Sequence, residues 1–256
     1  MTEPMIEIKD FRAGYRGVDK IRAVGLEIRP GRILGILGRN GSGKSTFLKA
    51  LVGIIPYEGH AFLDEKELSH MTHKERAGHI AYLPQLLSSA HMSVATLAAH
   101  GRFSRMSFSK VMGEKDHEAV RAALEKTGMW EERHRIVAEL SGGERQRAYL
   151  AMVLAQDSRY LLLDEPASSL DITHQIEIME LLKELALEGR AIVITSHDLP
   201  QSAAYCDSIC LIDHGIAGSA MSPKELAGQQ NDILRKSMGV TMVPSGKGLY
   251  PYVLER

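Results

Sequence analysis

Along this chain, short aliphatic runs alternate with stretches in which apolar residues return every three or four positions. RILGIL (32–37), YLLLD (160–164) and AIVITS (191–196) are brief and followed by polar or glycine-rich residues. Unbroken apolarity over so few positions predicts strands buried on both faces, their C-terminal ends opening into functional loops. TFLKALVG (46–53) and HQIEIMELLKELALEG (174–189) predict helices. In the second, Ile176, Met179, Leu182 and Leu185 recur at one-turn spacing, and Gly189 stands where a C-cap belongs. The alternation argues for an α/β fold with a mostly parallel sheet.

From about residue 89 to 156 the pattern changes. VATLAAHGRF, EKDHEAVRAALEKTG and ERQRAYLAMVLAQ are three helical patterns without a convincing strand between them, which predicts a helical subdomain inserted into the sheet domain. Residues 1–222 then form one unit. In the extension 223–256, one short helix precedes VTMV-PSGKG-LYPYVL, which predicts a hairpin around a glycine-containing turn.

Composition narrows the function classes. Hydrophobic residues at 44% and charged residues at 25% are ordinary for a globular protein, and 256 residues suffice for one large domain with a subdomain. The 31 basic and 32 acidic residues nearly cancel, so no global field draws nucleic acid or an acidic membrane. RFSRMSFSK (102–110) has three basic residues and two phenylalanines, but no wider basic surface accompanies it, and a solvated loop is the better reading. The N-terminal MTEPMIEIKDF has no basic segment followed by an apolar core, so no secretory signal is expected. No apolar run approaches the roughly 18–20 residues that cross a bilayer, so any membrane role is expected to pass through a partner. Cys206 and Cys210, the only two cysteines, are too few for a disulfide framework or a zinc tetrad and read as core thiols in a reducing cytosol.

Three stretches carry chemistry. After the first buried strand, GRNGSGKST (38–46) fits G-x-x-x-x-G-K-[ST] with a strand before it and a helix after it. Its glycines let successive N–H groups turn toward phosphate oxygens, and Gly43 opens a helix whose dipole faces the same anion. Lys44 would reach the β- and γ-phosphates, and the Ser45 hydroxyl would face Mg²⁺. The second stretch, YLLLDEP, ends a strand in two carboxylates. Strand neighbours point to opposite sides, so Asp164 suits the Mg²⁺ shell and Glu165 suits polarising a water. The third, LSGGERQR (140–147), is another phosphate cradle at a helix start, although one nucleotide has one triphosphate tail.

Taken together, these stretches resemble the nucleotide-binding subunit of an ATP-binding cassette (ABC) transporter. GRNGSGKST is similar to the Walker A motif, YLPQ with Gln85 to the Q-loop, LSGGERQR to the family signature, and YLLLDEP to Walker B. SSLD with Asp171 resembles the D-loop, and TSHD with His197 the switch histidine. The resemblance runs from Tyr15 to about residue 220. It implies a P-loop NTPase (RecA-like) core, an N-terminal antiparallel β part and the inserted helical subdomain. It also implies that two copies dock head to tail, each signature turn closing on the ATP held by the other copy. ATP and Mg²⁺ are then the cofactors. Residues 38–46 (Gly38, Arg39, Asn40, Gly41, Ser42, Gly43, Lys44, Ser45, Thr46) hold the phosphates, and Ser141, Gly142 and Gly143 meet the second copy's γ-phosphate. Tyr15 would stack on adenine, or simply pack in its strand. Ser45, Gln85 and Asp164 attend the metal, while Glu165, His197, Gln85 and Lys44 carry the catalysis. Asp171 lies at the seam, caps the following helix, or does both.

SVATLAAHGRFSR (93–105) resembles the importer branch handling iron–siderophore complexes, haem and vitamin B12, although Phe103-Ser104-Arg105 replaces that branch's usual aromatic, proline and histidine. The resemblance therefore implies ATP-driven import of a metal chelate or cofactor through separate transmembrane permease subunits, with an extracytoplasmic solute-binding protein as an indirect partner. The chain would then sit in the cytoplasm, peripheral on the inner face of the membrane. A soluble ABC ATPase acting on DNA or ribosomes is the alternative; the single cassette, without a long coiled-coil insertion, favours transport. A non-hydrolysing regulator is disfavoured because Glu165 and His197 are both present.

Overall fold

A computed structural model describes residues 5–15, 17–106, 111–168, 170–228 and 231–242, and the backbone of 252–254. The chain opens with two long strands, β1 (Ile6–Tyr15) and β2 (Val18–Ile28), paired antiparallel, and then enters β3 (Ile33–Gly38) and α1 (Lys44–Leu51). Next come β4 (Tyr57–Leu63), β5 (Lys66–Glu67), α2 (His73–His79) and β6 (Ile80–Leu83). Three helices follow, with no intervening strand among the described residues: α3 (Val94–His100), α4 (Glu114–Lys126) and α5 (Gly142–Ala155). The chain continues through β7 (Tyr160–Leu163), α6 (Ile172–Leu187), β8 (Ala191–Ser196), α7 (Leu199–Tyr205), β9 (Ser208–Asp213) and β10 (Ile216–Ala217). It ends in α8 (Pro223–Ala227), α9 (Asn231–Met238), β11 (Val240–Met242) and β12 (Tyr252–Leu254).

Ten strands form one sheet in the order β5-β4-β1-β2-β10-β9-β3-β8-β7-β6. From β9 to β6 every pairing is parallel, while β5, β4, β1 and β2 are antiparallel to one another. This order places the loops after β3, β8, β7 and β6 along one edge, because neighbouring parallel strands all end on the same side. Gly38–Gly43, His197, Glu165 and Gln85 are the residues carried there.

Alternation along each central strand divides the core between two faces. Ile33 and Leu37 of β3, with Leu161, Leu163, Ile192 and Ile194, pack under α3–α7; Leu34, Ile36, Leu162 and Val193 pack on the opposite side with α1 and the β1–β2 arm. Both cysteines are buried, Cys206 in the first cluster and Cys210 in the second, so the sheet separates the two thiols and neither bonds the other. Two details differ from the pattern reading. On α6 Ile176 is 48% exposed, and Ile178 takes its place beside Met179, Leu182 and Leu185 in the core. The extension holds two helices where one was expected, because Ser222 opens α8 with a capping box and the chain restarts at Asn231. That extension shares the first core cluster through Leu226, Leu234, Val240 and Met242. The β11–β12 pairing matches the expected hairpin; its connecting turn lies outside the described residues, as do residues 107–110 of the basic loop.

Candidate functional site

The loop after β3 is shaped by glycines. At Gly38 a Cβ would lie 2.6 Å from the Ile212 carbonyl oxygen, and at Gly43, with φ +109°, 2.7 Å from that of Lys20. Both approaches exclude any other residue. Gly43 caps α1, so the first-turn N–H groups of that helix open toward a cleft of about 520 Å³. Tyr15, Lys20, the loop from Asn40 to Thr46, Gln85 and Glu165 line it. Tyr15, at the tip of β1, is 44% exposed and faces this cleft, so it is not packed away in its strand. Ser42 Oγ is buried without a hydrogen-bond partner, a polar atom awaiting an acceptor or donor. Arg39 is exposed and lines a neighbouring cleft instead.

Lys44 is buried and folds back over its own loop, its Nζ donating to the Gly38 carbonyl at 2.8 Å. The same Nζ is 3.7 Å from Glu165 Oε1. Burial lowers the Lys44 pKa, and the charges of Glu165 and Asp164 oppose that shift. Two further side chains reach Glu165: Gln85 Nε2 donates to Oε2 at 3.1 Å, and His197 Nδ1 stands 3.5 Å from that oxygen. Residues that follow β3, β6 and β8 thus converge on the carboxylate that follows β7.

Asp164 is held differently. It accepts from Ser45 Oγ at 3.0 Å, from Thr195 Oγ1 at 2.7 Å and from Tyr82 OH at 3.3 Å, and it is 2% exposed. Burial, then the Asp164 charge, push the Tyr82 pKa up. Thr195 Oγ1 also accepts from the Glu165 N–H at 2.8 Å, so one hydroxyl holds both acidic residues. The two carboxylates diverge for a reason other than strand alternation. The strand ends at Leu163, and Glu165 takes a left-handed conformation with φ +50°, which turns its side chain toward Lys44. Tyr82, Lys20 and Thr195 were not singled out from the sequence. Thr195 and Tyr82 do lie inside the TSHD and YLPQ motifs, which was the available signal; for Lys20 there was none.

The donors beside Asp164 are all oxygen, and no group of three or more His, Cys, Asp or Glu able to hold a metal occurs among the described residues. A serine hydroxyl and one carboxylate suit a hard cation that takes its remaining ligands from phosphate and water.

Ser141 caps α5 in a capping box: the Glu144 N–H donates to Ser141 Oγ at 3.3 Å, and the Ser141 N–H donates to Glu144 Oε2 at 2.8 Å. The Ser141 backbone donor is therefore occupied, whereas the first-turn N–H groups of Gly142 and Gly143 have no helical partner. Ser141 and Gly142 are exposed, and neither they nor Gly143 line the cleft at Gly43. Within one chain the two cradles are separate. Asp171 caps α6, accepting from the His174 N–H at 3.0 Å.

The profile of a family described as "ABC transporter" matches residues 21–168. The petrobactin import ATP-binding protein FpuD of Bacillus anthracis is 37% identical to this chain over 95% of it and 94% of that protein. The ferric enterobactin transport ATP-binding protein FepC of Escherichia coli (strain K12) is 36% identical, covering 88% of this chain and 85% of FepC. Among solved structures, an inward-facing putative metal-chelate type ABC transporter superposes with a TM-score of 0.83 at 23% identity, over 99% of this chain and 98% of that one, a likeness of fold.

Proposed function

Because the chain belongs to the ABC transporter family and so binds and hydrolyses ATP, we propose that it energises import of a metal chelate, an iron–siderophore complex or a similar cofactor, through a separate membrane permease. Two relatives named for siderophore uptake, each matched over most of its length, support the import reading. No helix among the described residues is long and apolar enough to cross a membrane; in this reading the conduit is another subunit, on whose cytoplasmic face this chain would sit.

The convergence of Lys44, Gln85 and His197 on Glu165, at the mouth of a glycine cradle, carries the catalytic reading. In it, Gly38 and residues 40–46 bind the triphosphate, with Lys44 leaving the Gly38 carbonyl for the β- and γ-phosphate oxygens. Tyr15 stacks on adenine. Ser45 and Asp164, with Gln85, would hold Mg²⁺, which would supply neutralisation of phosphate charge. Glu165 accepts a proton from, and orients, the water that attacks the γ-phosphorus, Gln85 helps place it, and His197 contacts the γ-phosphate. Ser141, Gly142 and Gly143 of a second copy complete the site from the far side, where their helix start faces the same polyanion.

Glu165→Gln tests this. The expected outcome is a kcat lowered by about 10²–10⁴-fold with ATP affinity retained, together with an ATP-bound dimer trapped in solution. A variant that hydrolyses ATP like the parent, or stays monomeric with ATP, contradicts the assignment. Co-expression with a candidate permease and uptake of a labelled ferric siderophore tests the substrate class.

A further inference from the structure

Asp171 and the turn Ser141–Gly143 come from distant parts of the chain, yet a single side chain touches both. His174 satisfies both oxygens of Asp171: its backbone N–H donates to Oδ1 at 3.0 Å and its Nδ1 lies 2.7 Å from Oδ2. An ionised carboxylate only accepts, so Nδ1 carries the hydrogen and the ring has one orientation. The other face of the contact is Gly143. A Cβ there would meet His174 Cδ2 at 3.1 Å, Cγ at 3.3 Å and Nε2 at 3.4 Å, whereas at Gly142 it would meet nothing within 4 Å. Gly143 lies in the first turn of α5 and does not have a positive φ, so its backbone does not demand glycine. The imidazole does.

Two more contacts follow the same line. Arg147 Nη1 lies 3.3 Å from Glu177 Oε2, one turn further along both helices. Gln175 Nε2 donates to the Leu170 carbonyl at 3.0 Å, fastening the segment before Asp171 to the start of α6. The first turn of α6 therefore grips the segment ending at Asp171 on one side and the signature turn on the other.

We infer that His174 is a positioning residue that ties Asp171 and the signature turn of one chain into a single body, the body offered to the second copy's nucleotide. This rests on the two-copy reading above. When α5 moves with the helical subdomain, His174 carries Asp171 with it, so the exposed phosphate-binding turn and the exposed seam residue reach the partner in fixed register.

Two measurements test it, and they fail separately. In the isolated chain, thermal unfolding of Gly143→Ala, His174→Ala and the double variant reads the contact itself. Gly143→Ala should lower Tm by roughly 3–8 °C in the parent and by less than half as much in the His174→Ala background, where the ring no longer opposes the methyl group. Equal losses in both backgrounds overturn the contact. In the Glu165→Gln background, ATP-dependent dimerisation followed by light scattering reads the function. His174→Ala should weaken the dimer about tenfold while nucleotide affinity of the isolated chain stays within about twofold, and His174→Asn, which keeps a donor toward Asp171, should recover at least half of the loss. Unchanged dimerisation, a parallel loss of nucleotide affinity, or no recovery by asparagine overturns the inference. If Glu165→Gln itself fails to dimerise with ATP, the two-copy reading falls first and the inference with it, whatever the unfolding data show.

Discussion

Thr195 bears on more of the proposed chemistry than its bland side chain suggests. Its hydroxyl donates to Asp164 and accepts from the Glu165 backbone, and the residue is fully buried. It therefore sets the spacing between the acid assigned to the metal and the acid assigned to the water. Thr195→Val keeps the shape and removes both bonds, leaving the Glu165 N–H unsatisfied at a left-handed residue. The expected cost is about 1–3 kcal/mol of stability, with a raised Mg²⁺ requirement for ATP binding and a metal-free nucleotide affinity that is unchanged. Unfolding curves and nucleotide titrations with and without Mg²⁺ read this out; equal behaviour of the two proteins would remove Thr195 from the site. At this scale the sequence identified the groups that form recognisable spacings, such as Lys44, Ser45 and Asp164. It was silent on Tyr82 and Thr195 as ligands of Asp164, because those bonds join residues 82 and 31 positions apart and exist only once β6, β7 and β8 lie side by side.

At the scale of elements, three helix starts share one local chemistry. α2, α5 and α8 each open with a serine or threonine cap and a glutamate three residues into the turn, whose carboxylate accepts from the cap's N–H. Glu75 in α2 is held to about 2 by the Thr72 backbone and side-chain donors, with Lys66 adding to the effect, against an ordinary value of 4.5. A depressed carboxylate pKa contributes stability above the unfolded value and loses it as pH falls through the folded one. The Tm difference between parent and Glu75→Gln should therefore be full near neutral pH and shrink as pH falls from about 5 to about 2. A difference independent of pH over that range would show that the carboxylate's charge plays no part in the cap. Periodicity put Ile176 on the buried face of α6, and packing against α7 and the sheet places Ile178 there instead. In the extension, α8 ends at Ala227 and α9 begins at Asn231, too short an interruption for composition to reveal.

For the whole molecule, the sheet order is what makes a site out of scattered motifs. Because β3, β8, β7 and β6 are adjacent and parallel, four loops distant in sequence share one edge, and the alternating aliphatic runs already implied such an arrangement. What the chain alone lacks is a second wall. Its cleft at Gly43 is open, and its signature turn is exposed and lines no part of that cleft. The claim that two copies supply each other's missing wall is open to direct cross-linking. Cys206 and Cys210 are buried, and burial pushes both thiols up to about 12, so they do not compete with introduced cysteines. An equimolar mixture of Asn40→Cys and Ser141→Cys chains, both in the Glu165→Gln background, is oxidised with and without ATP and weighed under denaturing conditions. A disulfide-linked pair that forms with ATP, and only weakly without it or from either chain alone, is the predicted result; a mixture that stays monomeric, or links equally well without nucleotide, would contradict the account.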